Sequence, residues 1–156
     1  MALCGKVFTE FESEVPAAKF YNIFRKQLQH IPNIAEDVHG ATLLEGEWDK
    51  AGSVIHWEYT IDGEEESAKG KIETIDDDNR VITFSLFDGN VSENYKSFKG
   101  TLQVMDGEYG AFVRWTFEYE KVKEDITGAV PVSYLDLVAD VTKDIDAHFV
   151  EEEQQI

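Results

Sequence analysis

The amino-acid sequence predicts an α+β fold in which a long C-terminal helix lies along a curved antiparallel sheet. Three observations lead to this prediction. Apolar and polar residues alternate with a period of two from about residue 42 to residue 120, as in strands with one buried face. Short turn sequences separate these alternating runs. After Pro131 the apolar residues recur at helical spacing, which indicates a helix with one apolar side.

The N-terminal segment predicts one strand followed by a helix. Polarity alternates from Val7 to Phe11, and apolar residues then recur at helical spacing until Pro32. Ser13 is of a residue type that caps helices, and Pro16 is tolerated in a first turn, where its missing N–H has no partner to lose. We therefore expect a helix that is capped by Ser13 and ends near Ile31.

The middle of the chain predicts a meander of about six strands, in addition to the first one. Turn sequences bound the runs at Asp62-Gly63, at residues 76–79, at Asp88-Gly89 and at Asp106-Gly107. Strands joined by such short turns pair in antiparallel fashion. Several runs approach ten residues, or about 33 Å at roughly 3.3 Å per residue, and long twisted strands of this kind curl.

The C-terminal segment predicts the helix that covers one face of this sheet. Between Pro131 and about Val150 the apolar residues fall on one stripe. Twenty helical residues extend about 30 Å, which matches the strands in length. A strongly curved sheet beneath one helix can leave a hollow, and Gly70 and Gly100 within strand-like segments reduce its filling further. We therefore expect an apolar cavity between sheet and helix.

Composition favours one acidic intracellular domain, residues 1–156. The formal net charge is −18, with 14 basic and 32 acidic residues, which opposes contact with nucleic acid and anionic lipid headgroups. The single cysteine, Cys4, excludes an intramolecular disulfide and indicates a reducing compartment. The sequence shows no secretory signal and no apolar run long enough to span a bilayer. These features predict a cytoplasmic protein without stable membrane insertion, and they leave its protein partners unknown.

No set of residues predicts a catalytic site, a metal site or a cofactor. Cys4 lacks an activating base nearby in sequence, and the four histidines lack ligand spacing. Residues 76–79 fail the calcium-loop pattern, and residues 45–53 lack the context and ending of a phosphate-binding loop. The inward-facing polar candidates are Tyr59, Lys69, Lys71 and Tyr95.

Four segments resemble the plant major latex protein, or ripening-related, family. They are EGEWDKAGSVIHWEYTIDG at 45–63, NYKSFKGTLQV at 94–104, WTFEYEKVKED at 115–125 and SYLDLVADVTKDIDAHF at 133–149. The resemblance implies the helix-grip fold of the birch-pollen allergen and the pathogenesis-related plant proteins. In that fold a seven-stranded curved antiparallel sheet wraps around a long C-terminal helix, with two short helices forming a V between strands 1 and 2.

The same resemblance implies a hydrophobic cavity that binds lipids, steroids, phytohormones or phenolics. Carried over position by position, it implies ligand contacts from the sheet, the long helix and the V. The sheet contributes Ile55, Trp57, Tyr59, Ile82, Phe84, Leu86, Phe98, Leu102, Val113, Trp115 and Phe117. The long helix contributes Tyr134, Leu137, Val138 and Val141, and the V contributes Phe24 and Leu28.

Three functional hypotheses follow. The first is a binding protein for hydrophobic or amphipathic small molecules, linked to plant defence, stress or ripening. The second is a small isomerase or condensing enzyme of secondary metabolism that works in the same cavity. The Tyr, Lys and Glu set of the alkaloid-condensing branch has no match here, and residues 83–90 lack the proline-containing gate of the hormone-receptor branch. The third hypothesis is a storage or stress-response scaffold with no ligand, which a filled core with no pocket beyond about 300 Å³ would favour.

Overall fold

Seven strands and four helices occupy residues 3–154, which the computed structural model describes. The strands are β1 (Cys4–Ser13), β2 (Val38–Glu45), β3 (Val54–Ile61), β4 (Glu64–Asp76), β5 (Val81–Gly89), β6 (Tyr95–Asp106) and β7 (Ala111–Lys121). The helices are α1 (Ala17–Lys26), α2 (Ile31–Ile34), α3 (Asn90–Asn94) and α4 (Pro131–Gln154), and a 3₁₀ turn (Leu28–His30) joins α1 to α2.

The strands form one antiparallel sheet in the order β1-β7-β6-β5-β4-β3-β2. Strands β2 to β7 follow one another as a meander, which confirms the prediction from the alternating runs. Strand β1 pairs with β7 along its whole length, from Cys4 opposite Glu120 to Ser13 opposite Ala111. The first and second strands therefore lie at opposite edges of the sheet, and the α1–α2 segment connects the two edges.

The turns between strands follow the local sequence at most, but not all, of the predicted positions. Asp62 and Gly63 both adopt positive φ angles, 53° and 77°, as a two-residue hairpin of type I′ requires. The prediction of a short turn at Asp88-Gly89 is wrong. Gly89, at a φ angle of 74°, instead leads into the five-residue helix α3, because the chain continues through a helical turn before β6 begins.

The segment after β1 differs in detail from the predicted single helix. Ser13 does not cap α1: its hydroxyl donates to the Asp146 carboxylate and accepts a hydrogen bond from the backbone N–H of Val15 at 3.0 Å. Helix α1 follows Pro16, which is its N-terminal flanking residue. The helical segment is interrupted after Lys26, so two short helices form, as the family resemblance implies.

The concave face of the sheet packs against α4 and the two short helices. Part of this interface is solid: Phe20, Leu102, Val113 and Ile145 have no exposed surface. Ile145 lies in the C-terminal half of α4, beside Asp146, which is bonded to Ser13 at the end of β1. No helix within residues 3–154 is long and apolar enough to cross a bilayer.

Candidate ligand-binding site

A cavity lies between the N-terminal half of α4 and the concave face of the sheet. Its volume is about 150 Å³, which at about 30 Å³ per water is room for about five waters. Its wall consists almost entirely of apolar side chains, and two phenols are the exceptions. The sixteen wall residues are Phe24, Leu28, Ile31, Val38, Trp57, Tyr59, Gly70, Phe84, Leu86, Gly100, Trp115, Phe117, Tyr134, Leu137, Val138 and Val141.

Hydrogen bonds at both ends hold α4 over the concave face. At its first turn, the Ser133 hydroxyl donates to the Asp62 carboxylate in the β3–β4 turn at 2.8 Å. Near its other end, Asp146 accepts hydrogen bonds from the Ser13 hydroxyl and from the backbone N–H of Glu14. The helix is thus fixed at two points that lie on opposite sides of the hollow, which keeps its middle from collapsing onto the sheet.

Two glycines shape the floor of the cavity. A Cβ atom at Gly70 would lie 2.8 Å from Nε1 of Trp57, and one at Gly100 would lie 2.8 Å from Cε1 of Phe117. Both distances are too short for real contacts, so the aromatic rings lie directly over the glycine backbone. The rings take up the space that side chains at these positions would fill, and the cavity above them stays open.

The structure places twelve of the seventeen predicted contact residues in the cavity wall. These are Phe24, Leu28, Trp57, Tyr59, Phe84, Leu86, Trp115, Phe117, Tyr134, Leu137, Val138 and Val141. The other five belong to the buried core and lie outside the wall: Ile55, Ile82, Phe98, Leu102 and Val113. Strand alternation puts these residues on the same face as the wall, but it does not show whether a residue on that face packs against other side chains or borders the cavity.

Four wall residues are absent from the predicted set. Gly70 and Gly100 could have been predicted as wall residues from the sequence, because each falls in a strand at a position that faces the helix. Ile31 begins the short helix α2, and Val38 begins β2. Neither belongs to a long periodic run, so the sequence offered no pattern from which to place them.

The two phenols of the wall are chemically distinct from the rest of the cavity. Tyr59 is 5% exposed, and its buried hydroxyl forms no hydrogen bond of normal geometry among the described residues, although the Tyr134 hydroxyl lies close enough to lower its pKa. Burial is the main reason that its pKa rises to about 12. Burial also raises the pKa of Tyr134, and the neighbouring Tyr59 raises it further. Both phenols therefore stay protonated at neutral pH.

The remaining inward polar candidates do not reach the cavity. Lys69 and Lys71 alternate with the buried Ala68 and Gly70 and so lie on the convex face, where Lys69 pairs with an aspartate. Tyr95 is buried, but its hydroxyl donates to the Ala129 carbonyl at 2.8 Å. The two lysine candidates therefore do not face inward, because Ala68 and Gly70 take the inward positions of β4, opposite Trp57 and Ile55.

Comparison with known proteins assigns the fold and the family. The family model of the pathogenesis-related protein Bet v 1 family matches residues 2–152. MLP-like protein 43 of Arabidopsis thaliana is 39% identical over 97% of each chain, and major latex protein 146 of Papaver somniferum is 32% identical over 94% of this chain and 91% of its own. The crystal structure of major latex-like protein 151 from Panax ginseng has a TM-score of 0.88 and 35% identity, covering 94% of this chain and 98% of that one. The chain therefore belongs to the Bet v 1 family of pathogenesis-related proteins, among its major latex proteins.

Proposed function

We propose that the protein binds one hydrophobic or amphipathic small molecule in the cavity beneath α4. The observation that carries this proposal is the cavity itself, an apolar hollow with phenol hydroxyls at one end. The Bet v 1 fold is known as a hydrophobic-ligand-binding fold, which supports the proposal. The ligand classes that we propose are lipids, steroids, phytohormones and phenolics, in a role in plant defence, stress or ripening.

The driving force for binding is the removal of apolar surface from water. A ligand that buries about 300 Å² of apolar surface gains roughly 7 kcal/mol at 25 cal/mol per Å². Ordering and lost translational freedom offset part of this gain, so we expect micromolar affinity. The volume of about 150 Å³ is below the roughly 300 Å³ of common ligand pockets, so the proposed function requires a ligand that is about the size of benzene or that displaces wall side chains.

Catalysis in the same cavity is the less favoured function. General acid–base catalysis works best when the pKa of the group lies near the working pH. The titratable groups in the cavity wall are Tyr59 and Tyr134, and their raised pKa values make them poor bases at neutral pH. The exposed, unpaired Cys4 lies outside the wall. Its free thiol supports the cytoplasmic location that we propose.

A cavity-filling substitution tests the proposed function. Val138 lies in the wall, whereas Val132, also on α4, is 56% exposed. Val138→Trp adds about seven heavy atoms to a space that holds about five waters, and Val132→Trp makes the same change on the surface. The ligand is 1-decanol, which joins an apolar chain to one hydroxyl, and binding is measured by isothermal titration calorimetry.

We expect one molecule of decanol to bind the unaltered protein and the Val132→Trp variant with equal affinity. Val138→Trp removes most of the apolar contact area, so its affinity falls at least 100-fold. Circular dichroism of each variant verifies the fold. Failure of the unaltered protein to bind decanol refutes the proposed function, and undiminished binding by the folded Val138→Trp variant refutes the location of the site.

A further inference from the structure

The polar end of the cavity is defined as the wall residues Tyr59 and Tyr134 together with Glu66, which lies outside the wall but whose charge raises the pKa of both phenols. Glu66 was not among the inward candidates from the sequence, and it is only partly buried. In the β3–β4 ladder it lies directly opposite Tyr59. Directly opposed residues project to the same face of a sheet, with Cβ atoms about 5 Å apart. Because Tyr59 faces the cavity, the Glu66 side chain leaves the sheet on the cavity side as well.

Packing holds the phenol of Tyr134 in place above this pair. Its ring centroid lies 4.4 Å from that of Phe98 and 6.3 Å from that of Tyr95. The preceding residue, Ser133, is bonded to Asp62 in the β3–β4 turn, the turn that also connects the strands of Tyr59 and Glu66. The polar end is therefore built from one hairpin and one helix start that are fixed to each other.

The hydrogen-bonding capacity of the polar end is only partly used. The Tyr59 hydroxyl is buried and forms no hydrogen bond of normal geometry within the described part of the chain, although the Tyr134 hydroxyl lies close to it. A buried polar group without a partner lowers stability, and a ligand that supplies the partner recovers that loss. Since the neutral phenol is a donor as well as an acceptor, it can donate to an oxygen atom of a ligand.

The charge around the polar end is negative. Among the residues that the structure describes, no basic side chain forms an ion pair with Glu66. Burial is the first cause of its raised pKa, and the carboxylates of Glu64, Glu93 and Asp62 raise the pKa further. An anionic group placed beside Glu66 would meet the repulsion that these carboxylates already exert.

We propose that the polar end selects ligands that carry a hydroxyl group and rejects ligands that carry a carboxylate. A hydroxyl can accept a hydrogen bond from the Tyr59 phenol and donate one to the Glu66 carboxylate. A carboxylate has no proton to donate and is repelled by Glu66. This inference deepens the proposed function and rests on it, because it assigns the chemistry of the ligand's polar group.

A matched pair of ligands and a matched pair of variants test the inference. The ligands are 1-decanol and decanoate, titrated by calorimetry at pH 8, where carboxylates are ionised. The variants are Glu66→Gln, which removes the charge at nearly constant shape, and Glu65→Gln, which removes a charge from the neighbouring exposed residue. Decanol also leaves water more readily than decanoate, so the comparison rests on how the affinity ratio changes between proteins.

We expect decanol to bind the unaltered protein at least tenfold more tightly than decanoate. Glu66→Gln should strengthen decanoate binding and reduce that ratio at least fivefold, whereas Glu65→Gln should change it less than twofold. Tyr59→Phe should weaken decanol binding at least fivefold and affect decanoate much less. Glu66 is partly exposed, so its variant is expected to fold even if the change at Tyr59 prevents folding.

The outcomes separate this inference from the proposed function. Equal affinity of the unaltered protein for both ligands, or equal effects of the two glutamate variants, overturns the selection by charge and leaves the binding function standing. Absence of binding for both ligands refutes the proposed function, and the inference fails with it. A Tyr59→Phe variant that folds and binds decanol normally overturns the role of the phenol.

Discussion

Truncation of two leucines, Leu86 and Leu102, measures where the interior is hollow and where it is solid. Both lie on neighbouring strands, β5 and β6, and both face α4. Leu86 is partly exposed and belongs to the cavity wall, whereas Leu102 is 0% exposed and lies outside the wall. The change to Ala removes the same three carbons at each position, so a difference in cost reports on the surroundings.

The expected costs follow from burial and from the space that each truncation leaves. At Leu102 the lost transfer free energy is roughly 2 kcal/mol, and a new closed cavity raises the total to about 3–5 kcal/mol. At Leu86 the side chain already borders open space, so little new cavity forms and only part of the transfer free energy is lost. We expect a cost of about 1 kcal/mol there, and a difference between the two variants of at least about 2 kcal/mol.

Equilibrium unfolding in urea, followed by circular dichroism, gives both free energies. The slope of unfolding free energy against urea should be the same in both variants and the unaltered protein, so that the midpoints alone report stability. Costs that agree within about 0.5 kcal/mol would refute the division of the interior into a hollow and a solid part. A larger cost at Leu86 than at Leu102 would place the hollow elsewhere.

Two further substitutions test the electrostatics and the attachment of α4. Burial, and then the nearby Asp140, raise the pKa of Asp37 above its usual 3.8. At a pH below 3.8, protonated Asp37 therefore costs no stability. As the pH rises through the raised pKa, the carboxyl group ionises in the folded protein and the free energy of unfolding falls. Asp37→Asn should increase the urea midpoint at pH 7, with the gain disappearing below about pH 4, and a gain that does not vary with pH would contradict this cause. Asp146→Ala removes the acceptor of the Ser13 hydroxyl and the Glu14 N–H. It should cost about 1–3 kcal/mol in unfolding free energy and weaken decanol binding, because α4 loses one of its two attachments over the cavity. An unchanged urea midpoint would exclude a structural role for this link.

The sequence predicted those parts of the fold that depend on local patterns. Alternation and turn residues such as Asp62-Gly63 located the meander, and the apolar stripe after Pro131 located α4. The partner of β1 was not predictable in this way, because its pairing with β7 joins residues that are 98 to 116 positions apart in the sequence. Helix α3 was missed because five residues after Gly89 are too few to show a helical period.

The sequence predicted which face of the sheet carries the candidate site. It did not predict where on that face the cavity lies or how large it is. Alternation places Leu86 and Leu102 on the same face, but only the path of α4 decides which one borders a hollow. That path depends on the bonds of Ser133 and Asp146 to distant turns and strand ends, which no spacing in the sequence reveals. The sequence could have predicted that Glu66 faces the helix, since Glu66, Ala68 and Gly70 lie at every second position of β4.

Methyl chemical shifts on addition of 1-decanol test most directly whether the hollow beneath α4 holds a ligand. In carbon-13 methyl spectra, the signals of Leu86, Leu137 and Val138 in the wall should shift and saturate at one equivalent. The signals of Leu102 and Val113 in the solid core should stay within the change seen for the exposed Val132. Shifts confined to exposed methyl groups, or equal shifts in wall and core, would contradict the presence of a binding cavity between the sheet and the long helix.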